Sequence, residues 1–262
     1  MTREGLGHRQ TVRDHLSYLK QGVLYQLSPL GRASWSKLAS LKDSRRGQRC
    51  FILGNGPSLR QTDLTRLRNE STFGLNRIYL LFPELGFPTT YLVMINWLVL
   101  EQCAGDLQEL PVTKFLPWRF RKHLDPGRLA ETVFLQADGR GPDFTRDARR
   151  HLWPGATVTY VAMQLAYHLG FRQVILVGVD HSFTTQGRPH EAVVSHGDDP
   201  NHFSPQYFGK GFRWQLPDLE TSEIAYRLAR RAFEADGREI LDATVGGKLT
   251  VFPKVEYLSL FK

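Results

Sequence analysis

The residues best suited to chemistry form a glycine-rich turn near position 55. A short apolar run, 50–53, is followed directly by the five residues of this turn: Gly54, Asn55, Gly56, Pro57 and Ser58. The glycines let the backbone bend sharply and let a phosphate or sugar approach its N–H groups. Pro57 and Ser58 suit the first turn of a helix, whose positive end favours an anion. The turn predicts a nucleotide site, and because the third glycine of the dinucleotide motif is absent we do not expect nicotinamide.

Polar residues also follow three other predicted strands. They are Asn76, Asn96 and Asp180, and each comes directly after or close behind an apolar run. In an open parallel sheet, ligands bind outside the carboxyl ends of the strands. We therefore expect these side chains to converge with Gly54 on one crevice.

A long segment without strong periodicity, 181–217, contains four histidines: His181, His190, His196 and His202. A connecting segment of this length is unusual in a compact domain unless it has a function, so we predict that the segment forms a lid. An imidazole can accept a proton from a hydroxyl at neutral pH. His202 is the preferred base with His181 in reserve, and Asp180 is the second catalytic candidate.

Aromatic and basic residues of the same segment are expected to close over the substrate. Tyr207, Arg213 and Trp214 are the candidates for this contact, together with His181. Arg188, Lys210 and Arg213 are candidates for offsetting the charge of a leaving phosphate. The spacing of histidines and carboxylates has no recognised metal-binding form, so no metal site is predicted.

Alternating strands and helices must position these residues. Strands are predicted over 50–53, 72–75, 91–95, 133–135, 174–177 and 239–241, and helices after Ser58, over 157–169 and over 219–235. This alternation indicates an α/β fold with a doubly wound parallel, Rossmann-like sheet. Residues 1–48 are predicted to be a helical extension, with Leu16, Leu19, Val23 and Leu24 at helical spacing, and 49–262 the nucleotide-binding catalytic domain.

Composition narrows the class of protein. The chain of 262 residues has a net charge of +8, which can attract nucleic acid, an anionic membrane surface or a phosphorylated substrate. The sequence contains no specific nucleic-acid motif, no signal peptide and no apolar run long enough to span a membrane. Contact with a membrane is therefore expected only in peripheral form. Cys50 and Cys103 lie in apolar stretches without metal-ligand spacing, which suggests a reducing, cytoplasmic location. The sequence does not indicate an oligomeric state.

The motif 51–59, followed by Asp63, Leu67 and Asn76, resembles the opening of the bacterial family-42 sialyltransferases, which use a CMP-activated sialic acid. The blocks 91–102 and 157–180 follow the same family in the same order. With 41–59 and 237–249 added, the chain looks more like the broad MptE-like domain family, from about residue 41 onward. That family includes flagellin-modifying proteins associated with nonulosonic acids and archaeal 6-hydroxymethylpterin diphosphokinases. The resemblance implies a GT-A-like variant of the Rossmann-like fold.

The resemblance also implies roles for particular residues. Asn55, Gly56 and Ser58 would contact the nucleotide or its phosphate, with Gly54, Pro57 and Thr157 in the same donor site, and Asn76 and Asn96 would bind the ribose or the donor sugar. Asn201-His202-Phe203 matches a segment just before the family's catalytic histidine, which has no clean counterpart in this chain. Phe183 stands where a tyrosine assisting the departing phosphate is expected, and Tyr207 is the nearby substitute.

Three functions remain open from the sequence. The first is a glycosyltransferase that moves a nonulosonic or related acidic sugar from a CMP donor to a glycan or protein hydroxyl without a required cofactor. The second is a diphosphokinase of the pterin type, which would use ATP and Mg²⁺ bound to carboxylates such as Asp180. The third is a non-catalytic module that binds a nucleotide.

Overall fold

The computed structural model describes residues 18–262, and its centre is a sheet of seven parallel strands. Its strands are β1 (Arg49–Leu53), β2 (Ser71–Leu75), β3 (Tyr91–Val93), β4 (Thr113–Pro117), β5 (Thr132–Leu135), β6 (Gln173–Val177) and β9 (Glu239–Asp242). Their order across the sheet is β5-β4-β3-β2-β1-β6-β9. The chain fills one side from β1 to β5 and then returns to place β6 against the other side of β1. This confirms the predicted doubly wound, Rossmann-like sheet and puts its topological switch point between β1 and β6.

Apolar side chains cover both faces of the sheet. Alternate residues of β1 point into different clusters, since Ile52 packs in the core on one face and Phe51 in the core on the other. Both side chains are fully buried, as expected for a central strand between helical layers. The continuous apolar run 50–53 is therefore explained by a strand that is buried on both faces.

Six helices surround the sheet in the described part of the chain. They are α1 (residues 18–27), α2 (Pro29–Leu41), α3 (Phe82–Leu85), α4 (Trp97–Glu109), α5 (Val158–Leu169) and α6 (Leu219–Ala235). The two strongest sequence predictions are confirmed as α5 and α6. Thr157 is the N-cap of α5, and Gly170 ends that helix in the left-handed conformation with φ of 91°. Leu16 of the predicted N-terminal helix lies outside the described residues.

The prediction of a helix after Ser58 is wrong. The chain instead forms two short 3₁₀ helices, Pro57–Gln61 and Leu64–Leu67. Thr62 has the extended angles φ −117° and ψ 126°, which end the first turn. The carboxylate of Asp63 then accepts a hydrogen bond from the backbone N–H of Thr65 and starts the next turn. Local side-chain capping thus competes with a longer helix.

Strand β4 was not predicted because it contains Lys114 and ends in Pro117. Lys114 is nevertheless buried, and its ammonium group donates to the carbonyl oxygens of Leu110 at 2.7 Å and Val112 at 3.2 Å. Burial lowers the pKa of this lysine. The hydrogen bonds supply the partners that a buried cation requires, so the strand tolerates a residue type that usually indicates the surface.

The segment 181–217 also contains structure that the sequence did not predict. It forms an antiparallel hairpin of β7 (Ala192–Val194) and β8 (Arg213–Gln215), whose aromatic side chains are buried. Tyr207 is fully buried, and Trp214 is 6% exposed. Gln102 of α4 holds β8 through a pair of hydrogen bonds with the backbone of Arg213, at 2.8 and 2.9 Å. The segment 181–217, called the lid below, thus contains a hairpin docked on α4.

The helices before β1 cover the edge of the sheet. The edge strand β5 leaves backbone groups of Phe134 without a neighbouring strand, and side chains satisfy them. Ser34 Oγ accepts from Phe134 N at 3.0 Å, and Tyr25 Oη donates to Phe134 O at 3.1 Å. Covering an edge in this way prevents pairing with another chain. The domain boundary predicted at residue 48 stays a prediction. Helices α1 and α2, which precede this position, contact the sheet that follows it.

His168 links α5 to α2, and its burial is expected to make the stability of the fold depend on pH. Its Nε2 donates to Leu38 O at 2.8 Å, its Nδ1 accepts from Ala148 N at 3.3 Å, and burial lowers the pKa of the ring. The unfolded chain takes up a proton that the folded state resists, so we expect the free energy of unfolding to fall below about pH 6.5. The slope from this residue is at most about 1.4 kcal/mol per pH unit.

Urea titrations between neutral and mildly acidic pH test this expectation. His168→Gln should flatten the pH dependence, whereas His196→Gln, at an exposed position of the lid, should leave it as in the unmodified protein. An equal pH dependence in His168→Gln would contradict the assignment.

Candidate functional site

A crevice lies at the switch point, where the loops after β1 and β6 meet. Its cavity has a volume of about 160 Å³. Eight of the site residues predicted from the sequence line it: Gly54, Asn55, Gly56, Asn76, Thr157, Asp180, His181 and His202. The neighbouring strands are in register, since Leu53 pairs with Gly74 on one side and with Val177 on the other. The carboxyl ends of three central strands thus open into the same space.

The glycine turn brings two backbones into close contact. Gly54 N donates to Val177 O at 2.8 Å, and Gly56 N donates to Gly178 O at 2.9 Å. A Cβ atom at Gly54 would lie 2.2 Å from Gly178 O, and one at Gly56 would lie 1.8 Å from Asp180 Oδ2. Gly54 therefore requires glycine because a side chain would push the two loops apart, whereas a side chain at Gly56 would displace the carboxylate of Asp180.

Asp180 holds the glycine turn in place through two hydrogen bonds to Ser58. Ser58 Oγ donates to Asp180 Oδ2 at 2.6 Å, and Ser58 N donates to Oδ1 at 3.2 Å. Ser58 is 3% exposed and Pro57 is exposed, and neither of them lines the crevice. Both carboxylate oxygens of Asp180 thus have partners within the protein, and its catalytic role stays a prediction.

Three residues lining the crevice have strained backbones. Asn76, Ala156 and His181 have positive φ values of 46°, 59° and 54°. Left-handed backbone is costly for residues other than glycine and tends to persist at functional sites. Ala156 is a lining residue that the sequence analysis missed, because nothing in the sequence pattern indicates such a conformation for alanine.

Two amide oxygens of the crevice lack a hydrogen-bond partner. Asn55 Oδ1 and Asn76 Oδ1 are buried without a donor in the described part of the chain. A buried acceptor without a donor is costly, and such groups are uncommon in native proteins. Both residues line the same cavity, so a ligand carrying hydroxyl or N–H groups would satisfy them.

His202 is paired with a buried carboxylate. Its Nδ1 lies 2.7 Å from Asp199 Oδ2, and the Asp199 side chain is 3% exposed. An ionised carboxylate can only accept, so Nδ1 carries a proton, and in the neutral form of the ring Nε2 is then the acceptor. The ring stacks on Tyr207 with centroids 4.0 Å apart, which fixes its orientation.

Asp199 has further partners that hold it in place. It accepts from Asn201 N at 2.8 Å and from Phe208 N at 3.1 Å. Asp199 was not predicted from the sequence as a partner of His202. The spacing of three residues is the one signal that could have indicated it, since a single turn brings such side chains together.

His181 is engaged differently. Its Nε2 lies 3.2 Å from Glu223 Oε1 on α6, and its side chain is 8% exposed. His190 pairs with Asp218 outside the crevice. His202 is therefore the crevice histidine whose carboxylate partner lies in the lid.

The structure places four other predicted residues away from the crevice. Asn96 caps α4, where its Oδ1 accepts from Val99 N at 3.3 Å. Strand β3 is two strands from β1, roughly 10 Å across the sheet, so its carboxyl end does not reach the switch point. Tyr207 and Trp214 lie in the aromatic core of the lid, and Arg213 pairs with Glu101 at 3.4 Å on the outer side. Strand order separates Asn96 from the crevice, whereas the docking of segment 181–217 on α4 places Tyr207, Arg213 and Trp214 away from it.

The walls of the crevice carry little charge. Among the described residues that line it, there is no lysine or arginine, and Asp180 is the single carboxylate. No group of three or more His, Cys, Asp or Glu in the described residues could hold a metal ion. The N-terminus of α5 opens onto the crevice at Thr157, and its dipole favours an anion there.

Helix α6 contributes lining residues that the sequence analysis also missed. Ser222 and Tyr226 face the cavity, and Tyr226 Oη lies 3.4 Å from Thr157 Oγ1. Their position depends on how α6 packs against α5, which the local sequence does not reveal.

Comparison with known proteins supports the fold. A solved structure, "Structure of MAf glycosyltransferase from Magnetospirillum magneticum AMB-1", aligns with a TM-score of 0.53 at 16% identity. The alignment covers 89% of this chain, and this chain spans 39% of the length of that protein. No protein-family model matches the chain, and no curated protein sequence matches it. The chain therefore shares a Rossmann-like α/β fold with this neighbour.

Proposed function

We propose that the protein is a transferase that moves a sugar from a nucleotide-activated donor to a hydroxyl acceptor. The observation that carries this proposal is the Asp199–His202 pair beside the glycine turn, with an Nδ1 to Oδ2 distance of 2.7 Å. The structural neighbour described as a glycosyltransferase supports the same class of reaction. A CMP-activated nonulosonic or sialic-type sugar is the donor that the sequence resemblance favours.

His202 supplies the base in this reaction. Its Nε2 accepts the proton of the acceptor hydroxyl while the oxygen attacks the anomeric carbon of the donor. The bond between that carbon and the phosphate oxygen breaks, and the nucleotide leaves with the bonding electrons. The carboxylate of Asp199 stabilises the imidazolium that forms, because the two groups are in direct hydrogen-bond contact and buried.

Other lining residues of the crevice offer groups that suit the nucleotide. Asn55 Oδ1 and Asn76 Oδ1 can accept hydrogen bonds from ribose or sugar hydroxyls. The N-terminus of α5, capped by Thr157, offsets the negative charge of the phosphate. Gly54 and Gly56 let the ligand approach the backbone closely.

The diphosphokinase alternative has less support from the crevice. Transfer of a pyrophosphate requires neutralisation of several phosphate charges, commonly by Mg²⁺ on carboxylates. In the described lining Asp180 is the one carboxylate, and Ser58 occupies both of its oxygens. The non-catalytic alternative does not account for a histidine held by a buried carboxylate.

Thermal unfolding with CMP, CDP, ATP and GTP, each with and without Mg²⁺, tests the donor class. A ligand that binds the folded state alone raises Tm. We expect CMP to raise Tm without metal, and Asn55→Ala to weaken CMP binding by roughly 3–10-fold, as the loss of one hydrogen bond implies.

His196→Gln is the matched control, because His196 is exposed and outside the crevice. A rise in Tm that is seen only with ATP and Mg²⁺ together would favour the diphosphokinase. The absence of any shift with all four nucleotides would overturn the nucleotide site itself.

A further inference from the structure

The outer face of α1 is apolar. The side chains of Leu19, Val23 and Leu27 recur every four residues along one side of this helix and are 50%, 53% and 68% exposed. Tyr25 faces inward and is 1% exposed. The sequence predicted an amphipathic helix with Leu19 and Val23 on its apolar stripe, and the structure turns that stripe away from the sheet.

This exposure is concentrated in one part of the molecule. Ten large apolar side chains are exposed in the described residues, and five of them belong to α1 and α2. These five define the outer helical face: Leu19, Val23, Leu24, Leu27 and Trp35. Exposed apolar side chains grouped on two consecutive helices are typical of an interaction surface.

The same two helices are basic. Residues 18–41 contain Lys20, Arg32 and Lys37, all exposed, and no acidic residue. Immediately after α2, Lys42 pairs with Asp147 and Arg46 with Asp43, while Arg45 adds a further positive charge. Leucines and a tryptophan flanked by cations are the composition of helices that lie in a membrane interface.

We propose that the outer helical face docks on an anionic lipid surface. Apolar side chains would enter the boundary between head groups and acyl chains, and the cations would contact the lipid phosphates. A second copy of the chain would bring like charges together, which disfavours self-association through this face. No helix in the described residues has both the length and the hydropathy needed to cross a bilayer.

Flotation with vesicles tests the proposal. We expect the full chain to float with vesicles of phosphatidylcholine and phosphatidylglycerol, to float less at raised salt, and to remain behind with phosphatidylcholine alone. Leu19→Gln, Val23→Gln and Leu27→Gln combined should reduce binding at least about tenfold, since glutamine keeps the helix and removes apolar area. Replacement of Lys20, Arg32 or Lys37 by glutamine should weaken vesicle binding by about fivefold in each case.

The matched control replaces exposed apolar residues elsewhere. Val194→Gln, Val245→Gln and Leu258→Gln combined change side chains that are 48%, 40% and 48% exposed and should float as the unmodified protein does. Absence of flotation with the anionic vesicles, or equal flotation of the α1 variant, would overturn the proposal. A dimer in sedimentation that dissociates in the α1 variant would also overturn it, because the face would then bind a second copy.

Discussion

Replacement of His202 by glutamine is expected to lower the rate of sugar transfer by about 10²–10⁴-fold, the usual contribution of a positioned general base. Glutamine keeps a polar side chain of similar size, but it cannot accept the proton of the acceptor hydroxyl. Nucleotide binding should change little, because the groups assigned to the nucleotide lie on Asn55, Asn76 and α5. Release of CMP from a CMP-activated sialic acid with a hydroxyl acceptor measures the rate, and thermal unfolding with CMP measures binding.

Asp199→Asn and His196→Gln separate catalysis from stability. Asp199→Asn removes the charge that stabilises the imidazolium, so the rate should fall while the shift of Tm by CMP remains. His196→Gln changes an exposed histidine of the same segment and should leave the rate unchanged. If His202→Gln transfers sugar as fast as the unmodified protein, His202 is not the base.

Replacement of Gly54 by alanine is expected to destabilise the protein by about 3 kcal/mol or more, the upper range for overpacking in a core. The new Cβ would lie 2.2 Å from Gly178 O and 2.7 Å from the carbonyl carbon, both backbone atoms. These atoms cannot move without separating β1 from β6, which pair directly. Tm should fall by roughly 6–12 °C, as measured by circular dichroism or calorimetry.

Gly105→Ala provides the comparison for this prediction. Gly105 lies within α4, and a Cβ atom there would meet no atom within 4 Å. Alanine is the better helix former by about 0.8–1.0 kcal/mol, so this variant should be more stable. Equal Tm values for Gly54→Ala and the unmodified protein would show that the close contact between the two loops is not required.

The two predictions address different parts of the same site. The contact of Gly54 with Gly178 sets the shape of the crevice floor, whereas His202 arrives from the lid. The lid is attached to that floor by the hydrogen bond from Phe203 N to Asn55 O at 2.9 Å. This backbone hydrogen bond lies next to both the proposed base and the predicted nucleotide site.

The local sequence was sufficient for the main elements. The apolar run 50–53 ending in glycines indicated a buried parallel strand, and Thr157 and Gly170 marked the ends of α5. Strand β4 was missed because Lys114 and Pro117 suggest an exposed loop, and buried hydrogen bonds to the lysine compensate in the folded state. The hairpin of β7 and β8 was missed because its strands are three residues each and their partner is distant in the sequence.

By itself, the sequence determined the class of fold and the place of the glycine turn, because both depend on patterns within a few residues of chain. Tertiary structure alone decided which polar residues share the crevice. Strand order puts Asn76 beside the switch point and leaves Asn96 as a helix cap, and packing of the lid buries Tyr207 and Trp214 while it turns His202 toward the cavity. Strand order and lid packing arise from contacts between distant segments, and such contacts leave no periodic trace in the sequence.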